Sequence, residues 1–134
     1  MRMKIDGGCH CGNISYEADI NPEYVVICHC ADCQTFSGAP YRAGVPVKAE
    51  NFQLRGQPKI YVKTARSGNK RAMAFCADCG SALYSTSLEE NPPLFNLRVG
   101  AIKQRAQLVP RSQGFCSSAM PWVMDIARIP RIPE

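Results

Sequence analysis

The chain has 134 residues, of which 46% are hydrophobic and 20% are charged. This length fits one domain spanning residues 1–134, and the composition lies near globular averages, which excludes the disordered and fibrous classes. The formal net charge is +5. A nucleic-acid partner is not predicted, because the sequence has no long basic tail and no basic stretch interleaved with aromatic residues.

The start of the chain has neither the pattern of an export signal nor that of a membrane anchor. Met1 to Lys4 lead into Asp6 and Gly7 with no apolar segment between them. The longest aliphatic run, residues 25–27, is far too short to cross a bilayer. We therefore predict a cytoplasmic protein with no membrane partner.

The predicted elements are short and extended, separated by turns rich in glycine and proline. A first strand leads into a turn at Gly7 and Gly8, and residues 14–16 start a second strand. Further extended segments are predicted at residues 23–27, 41–47, 52–54, 59–64, 71–75, 81–85 and 95–99, with single helical turns at 31–36 and 100–106. No stretch repeats apolar residues every 3.6 positions over three turns, so the predicted class is mostly β.

Cysteine grouping is the strongest signal in the sequence. Seven of the eight cysteines fall into three short groups: Cys9 and Cys11; Cys28, Cys30 and Cys33; Cys76 and Cys79. Such close neighbours cannot usefully be crosslinked to each other, and clustered cysteines in a reducing compartment bind metal more often than they form disulfides. Cys116 stands alone and is expected to be a small buried hydrophobic residue.

The two outer pairs predict a closed, structural zinc site. Cys76 and Cys79 are followed by Gly80, which is typical of a knuckle turn that supplies two thiolates to zinc. Cys9 and Cys11 would supply the other two, and in an extended segment their side chains share one face. Four thiolates complete a tetrahedron and leave no open position.

The central group, Cys28, Cys30 and Cys33, offers only three thiolates. Three protein ligands and one open position are typical of catalytic zinc, so the count predicts an enzyme whose working centre is this triplet. The alternative is that His29, His10 or Cys116 fills the fourth position and both ions are structural. Three thiolates on Zn²⁺ carry a net charge of about −1, which favours activation of a soft substrate such as a thiol.

These motifs, taken in order, resemble the glutathione-dependent formaldehyde-activating family (GFA, or CENP-V/GFA). The matching residues are Gly8-Cys9-His10-Cys11-Gly12 with Tyr16, Cys28-His29-Cys30 with Cys33-Gln34, Phe75-Cys76 with Cys79-Gly80-Ser81, Leu83 and Tyr84, Arg98-Val99-Gly100, and Pro121-Trp122. The resemblance implies an Mss4-like β-tent, built from short antiparallel sheets around zinc sites. It also implies two Zn²⁺ ions, one structural on the outer pairs and one catalytic on the triplet.

The family activity implied is that of a carbon–sulfur lyase, which joins glutathione and formaldehyde into S-hydroxymethylglutathione. The implied partners are a small thiol such as glutathione and a small aldehyde. Lys63, Arg66, Lys70 and Arg71 are candidates for binding the glutathione carboxylates, or they form an ordinary solvated hairpin face. Gln113 stands where many members carry a histidine. This difference affects the assignment of the substrate and leaves the predicted fold unchanged.

Two other functions fit the same cysteines. One is a non-catalytic, zinc-stapled binding module for a protein or for chromatin. The other is an iron–sulfur or redox-thiol protein, which colour and iron analysis would reveal.

Overall fold

The computed structural model describes residues 1–134 and is mostly β. It has ten strands, one α-helix and six short 3-10 segments. The strands are β1 (Met3–Gly8), β2 (Ser15–Ile20), β3 (Val26–Cys28), β4 (Arg42–Lys48), β5 (Phe52–Arg55), β6 (Lys59–Thr64), β7 (Lys70–Phe75), β8 (Ala82–Ser87), β9 (Leu94–Arg98) and β10 (Ser112–Gly114). The helix is α1 (Ala31–Ser37), and the predicted β class is confirmed.

The strands form two sheets. The smaller has three strands in the order β1-β2-β5, and the larger has seven in the order β10-β3-β4-β9-β8-β7-β6. Every pairing is antiparallel except that of β10 with β3, which is parallel. Short connections join four of these antiparallel pairs, β1 with β2 and the successive strands from β6 to β9, whereas β2 with β5 and β4 with β9 pair across longer stretches of chain.

The hydrophobic core joins the two sheets. Phe52 of the small sheet contacts Tyr84 and Phe95 of the large one, with ring centroids 5.7 Å and 5.0 Å apart. Tyr16 packs edge-on against Phe52 at 5.5 Å. Such pairs bury large apolar surfaces in defined geometries. They fix the small sheet, which leads into Cys9 and Cys11, against the large sheet, which leads into the other two cysteine groups.

The predicted turn at Gly7 and Gly8 is wrong, because β1 continues through both residues. Gly7 pairs with Tyr16 in the small sheet. A Cβ atom at Gly7 would lie 2.4 Å from the carbonyl oxygen of Ala101 and 2.6 Å from the hydroxyl of Tyr16. The glycine permits a close approach of neighbouring backbone and does not reverse the chain.

The strand predicted at residues 23–27 begins later than expected. Pro22–Tyr24 form a 3-10 segment, and the Asn21 side chain caps it by accepting a hydrogen bond from the Glu23 amide at 3.0 Å. Asparagine before proline is a strong start signal for a helical turn, and it outweighs the extended preference of the residues that follow. The strand is therefore confined to Val26–Cys28.

The other predicted strands agree closely with the structure, whereas the helical turn predicted at 100–106 is replaced by two 3-10 segments, Val99–Ala101 and Arg105–Gln107. The predicted helical turn at 31–36 is α1, which ends where Gly38 adopts a left-handed conformation with φ of 61°. The hairpin of β6 and β7 is confirmed. Pro46 lies in β4 where this strand pairs with β9 alone, beyond the end of its pairing with β3. No helix of the structure is long and apolar enough to cross a membrane.

Candidate metal centres and cleft

The two outer cysteine pairs lie in two similar tight turns. In the second turn, the Cys76 amide donates to the Ser81 carbonyl at 3.0 Å and the Gly80 amide donates to the Cys76 carbonyl at 2.8 Å. Gly80 has a φ of +79°, a left-handed conformation that glycine adopts at low cost. This is the predicted knuckle.

The first turn is similar, but its glycine lies three residues after the first cysteine instead of four. The Cys9 amide donates to the Ile14 carbonyl at 2.9 Å, and the Gly12 amide donates to the Cys9 carbonyl at 3.2 Å, with a φ of +86° at Gly12. The prediction that Cys9 and Cys11 share one face of an extended segment is therefore wrong. Their sulfur atoms converge because the chain turns tightly between them.

The four outer sulfur atoms are arranged as a metal site. All four lie within 4.8 Å of one another, with Cys9 Sγ to Cys11 Sγ at 3.6 Å and Cys11 Sγ to Cys76 Sγ at 3.7 Å. Tetrahedral zinc with bonds of about 2.3 Å would separate its sulfur ligands by about 3.8 Å. Disulfide sulfurs would be about 2.05 Å apart. The spacing of the four sulfur atoms therefore fits a closed site in which four thiolates bind one ion such as zinc.

Hydrogen bonds at Cys9 and Cys79 favour the thiolate forms that a metal needs. The Ile14 amide donates to Cys9 Sγ at 3.2 Å. The Ser81 hydroxyl lies 3.2 Å from Cys79 Sγ, and this hydroxyl, followed by the Ser81 amide, lowers the pKa of the Cys79 thiol to about 5. Donors aimed at sulfur stabilise negative charge there, so the site is prepared for a cation.

The triplet forms where β3 ends and α1 begins. Cys28 is the last residue of β3, and Cys30 is the N-cap of α1, its sulfur accepting a hydrogen bond from the Cys33 amide at 3.4 Å. The three sulfur atoms lie within 4.8 Å of one another. The strand and the first helical turn thus place three thiols around one point, as the spacing predicted.

None of the side chains considered as a fourth ligand joins the triplet. No fourth histidine, cysteine or carboxylate atom lies within 4.8 Å of all three sulfurs. His29 is buried and is not among the donors of the triplet. Its Nε2 lies 2.7 Å from Gln113 Oε1, and its ring packs edge-on against Tyr41. His10 is exposed at the other cysteine group, and Cys116 is exposed in the C-terminal region. The chain therefore supplies three donors to the triplet and no fourth.

The expectation that Cys116 is buried is wrong. It follows Phe115, which has a φ of 55°, and starts the 3-10 segment Cys116–Ser118 on the surface. Its nearest polar partner is the Gln113 carbonyl, 3.8 Å from the sulfur. The lone thiol is outside both clusters and has no part in either.

A cleft of about 920 Å³ opens beside the triplet, and Cys33 lies in its wall. Its charged lining residues are all basic: Arg42, Lys63, Arg71, Arg98, Lys103 and Arg105. No aspartate or glutamate lines it. Of the four hairpin residues proposed for carboxylates, Lys63 and Arg71 lie in this wall, whereas Arg66 and Lys70 do not. The cleft is suited to an anionic molecule that reaches the triplet.

Comparison with known proteins assigns the family. The family model described as "glutathione-dependent formaldehyde-activating enzyme" matches residues 4–118. The chain belongs to this GFA family. Both groups of cysteines that could hold metal ions lie within the matched residues.

Other comparisons support the fold of this GFA protein and add nothing on its activity. A crystal structure of a Rhodobacter sphaeroides protein is similar, with a TM-score of 0.61 and 17% sequence identity, covering 81% of this chain and 98% of the other. No curated protein matches the chain. At that identity the likeness shows a shared fold alone.

Two arginines that line the cleft of this GFA protein were not predicted as site residues. Arg42 Nε donates to Cys33 Sγ at 3.5 Å, so a guanidinium lies directly against the triplet. Burial, and next the charge of Arg42, lower the pKa of the Arg98 guanidinium to about 10. Arg42 follows the loop after α1 and Arg98 ends β9, and only the pairing of β4 with β9 brings them together.

Proposed function

We propose that this protein is a zinc-dependent carbon–sulfur lyase. In this reaction glutathione, or a similar small thiol, is added to formaldehyde or another small aldehyde to give an S-hydroxymethyl adduct. The observation that carries the proposal is a triplet of thiols with no fourth protein donor, opening onto a basic cleft in a GFA-family chain. Cys28, Cys30 and Cys33 are the proposed catalytic residues.

The chemistry of the donor set supports a thiol as substrate. Zn²⁺ bound by three thiolates is a soft centre that would bind an incoming sulfur and lower its pKa. Arg42 beside Cys33 adds a positive charge that favours an anionic sulfur at this position. Cys9, Cys11, Cys76 and Cys79 would hold the second, structural ion.

The cleft accounts for the choice of a charged thiol. Glutathione carries two carboxylates, and the charged side chains that line the cleft are all basic. Complementary charge raises both the rate of encounter and the affinity for such a molecule. Thiols that must stay reduced also favour a reducing compartment, so we place this activity in the cytoplasm.

The bond changes in the proposed reaction are simple. The thiol loses its proton, its sulfur forms a bond to the aldehyde carbon, and the carbonyl π electrons move to oxygen, which then takes up a proton. No carboxylate lines the cleft to act as a general base. The basic side chains stabilise both the sulfur anion before attack and the oxygen anion after it, so water suffices as the proton carrier.

The test is adduct formation measured by NMR with ¹³C-formaldehyde and glutathione. Zinc-loaded protein is expected to accelerate exchange between free and adduct forms well above the spontaneous rate. Cys116→Ser is the matched control and should retain the full rate, because this exposed thiol lies outside both clusters. No acceleration by protein carrying both ions would contradict the lyase proposal and favour the non-catalytic binding module.

A further inference from the structure

Three arginines meet on one face of the large sheet, in the wall of the cleft. Arg42 Nη1 and Arg98 Nη1 both donate to Asn96 Oδ1, at 2.9 Å and 2.7 Å. Asn96 pairs with Ser85 of β8, and the Ser85 hydroxyl accepts from Arg71 Nη2 at 3.3 Å. Alternate residues of a strand share one face, so β4, β7 and β9 each bring one guanidinium to this place.

The backbone beside this arginine cluster makes room for it. A Cβ atom at Gly44 would lie 2.3 Å from Asn96 Oδ1 and 2.6 Å from Arg42 Nη1. Any larger residue at position 44 would therefore displace the amide that holds two guanidinium groups. The absence of a side chain at this position keeps Arg42 turned toward the cleft.

The positive charge of the cluster has no carboxylate partner within the chain. The two lysines of the cleft are paired, Lys63 with Asp32 at 2.9 Å and Lys103 with Asp6 at 2.9 Å. None of the three cluster arginines takes part in an ion pair with an acidic residue. A triplet bearing zinc has a charge of only about −1, which cannot balance three guanidinium groups. Partly buried charges without a partner are costly, so an anion that reaches them gains much of the missing interaction.

From this arrangement we infer that Arg42, Arg71 and Arg98 bind a carboxylate of the substrate. This inference rests on the proposed function and specifies it, because it requires that one reactant carry a carboxylate close to its reacting atom. Guanidinium groups bind carboxylates through two parallel, charge-assisted hydrogen bonds, and two of these groups are already oriented by Asn96.

The position of Arg42 links this carboxylate site to the triplet. Its guanidinium contacts both Cys33 Sγ, at 3.5 Å, and Asn96 Oδ1, at 2.9 Å. A carboxylate on the cluster therefore lies within a short molecule's length of a sulfur at the triplet. That carboxylate belongs either to the thiol or to the aldehyde, for example a short oxo acid.

The experiment measures binding to zinc-loaded protein by calorimetry or NMR titration, without any turnover. The thiol arm compares S-methylglutathione, whose sulfur is blocked, with its dimethyl ester. The aldehyde arm compares glyoxylate with acetaldehyde. In at least one arm the carboxylate form is expected to bind about tenfold or more tightly than the form without a carboxylate, since charge-assisted hydrogen bonds are lost in the latter.

Two variants and one control assign that preference to the cluster. Arg71→Gln and Arg98→Gln should each weaken binding of the preferred carboxylate about tenfold, without weakening binding of the form that has no carboxylate. Arg66→Gln removes the same charge from the exposed turn of the same hairpin and should change binding less than about twofold. Melting temperatures identify any variant that fails to fold. Arg71→Gln should perturb the fold less than Arg98→Gln, because Arg71 makes no hydrogen bond to Asn96.

The outcomes separate this inference from the proposed function. Equal binding of the forms with and without a carboxylate in both arms, or an equal loss in the Arg66 control, would overturn the carboxylate site. If adduct formation is accelerated but neither the thiol arm nor the aldehyde arm shows a carboxylate preference that Arg71→Gln removes, the lyase reaction stands and this inference fails. If carboxylate binding depends on Arg71 but no adduct formation is accelerated, the carboxylate site stands and the reaction fails.

Discussion

Cys79→Ser is expected to lower the melting temperature of the metal-loaded protein by at least about 15 °C. The side chain is exposed, so a serine of nearly the same shape costs little packing. Its sulfur belongs to the group of four that joins the first turn, near Cys9, to the second, near Cys76. Structural zinc in small domains supplies a large part of the folding free energy, and a poorer fourth ligand removes much of it.

The measurement is thermal unfolding followed by circular dichroism, together with the zinc content of the purified variant. Cys116→Ser is the matched control, because it makes the same chemical change at an exposed cysteine outside both groups. The control should melt within about 2 °C of the wild type. If Cys79→Ser melts as the control does, the outer four thiols do not hold a structural ion.

Cys30→Ser is expected to reduce the activity at least about 100-fold while leaving the protein folded. Losing even an outer-shell partner of a metal ligand costs about 10–100-fold in activity, so losing a ligand should cost more. Serine keeps the N-cap of α1, where the Cys30 sulfur accepts from the Cys33 amide, and serine is among the best N-cap residues. The helix that carries the triplet should therefore still form.

Zinc content and melting temperature accompany the activity of Cys30→Ser. The variant should contain about one zinc per chain instead of two, with a melting temperature close to that of the wild type. This pattern differs from that of Cys79→Ser, in which stability falls. Equal losses of stability in the two variants would show that the sites are not divided into a structural and a working one.

The cysteine groups could be predicted from the sequence because each is local. Spacings of one or two residues place sulfurs together whatever the rest of the fold does, as Cys28, Cys30 and Cys33 show. The pairing of the two outer groups followed from the ligand count of zinc. The predicted local geometry was wrong for one pair, because Cys9 and Cys11 are brought together by a tight turn and not by a strand.

The basic cleft could only be predicted in part, because its residues are brought together by strand pairing. Lys63 and Arg71 stand on the hairpin that the sequence identified, but Arg42, Asn96 and Arg98 belong to two other strands. Their meeting depends on the register of β4 with β9, in which Gly44 pairs with Arg98. No local pattern encodes that register.

Gly7 and Cys116 were misjudged because residue type alone does not reveal the backbone geometry around them. Gly7 has the pattern of a turn residue, but it is needed because Tyr16 and Ala101 approach its backbone. Cysteine is a residue type that is often buried, but Cys116 follows Phe115, whose left-handed backbone conformation leads into a surface segment. The Gly7 contacts come from residues elsewhere in the chain, and the exposure of Cys116 follows from the backbone conformation of its neighbour.

The most direct test of two unequal metal sites is a crystal structure with an anomalous difference map collected at the zinc absorption edge. We expect two peaks per chain. One should be surrounded by the sulfurs of Cys9, Cys11, Cys76 and Cys79, and the other by those of Cys28, Cys30 and Cys33 with a fourth ligand from solvent or substrate. A disulfide within the triplet, or a fourth donor from the chain on its ion, would contradict this account.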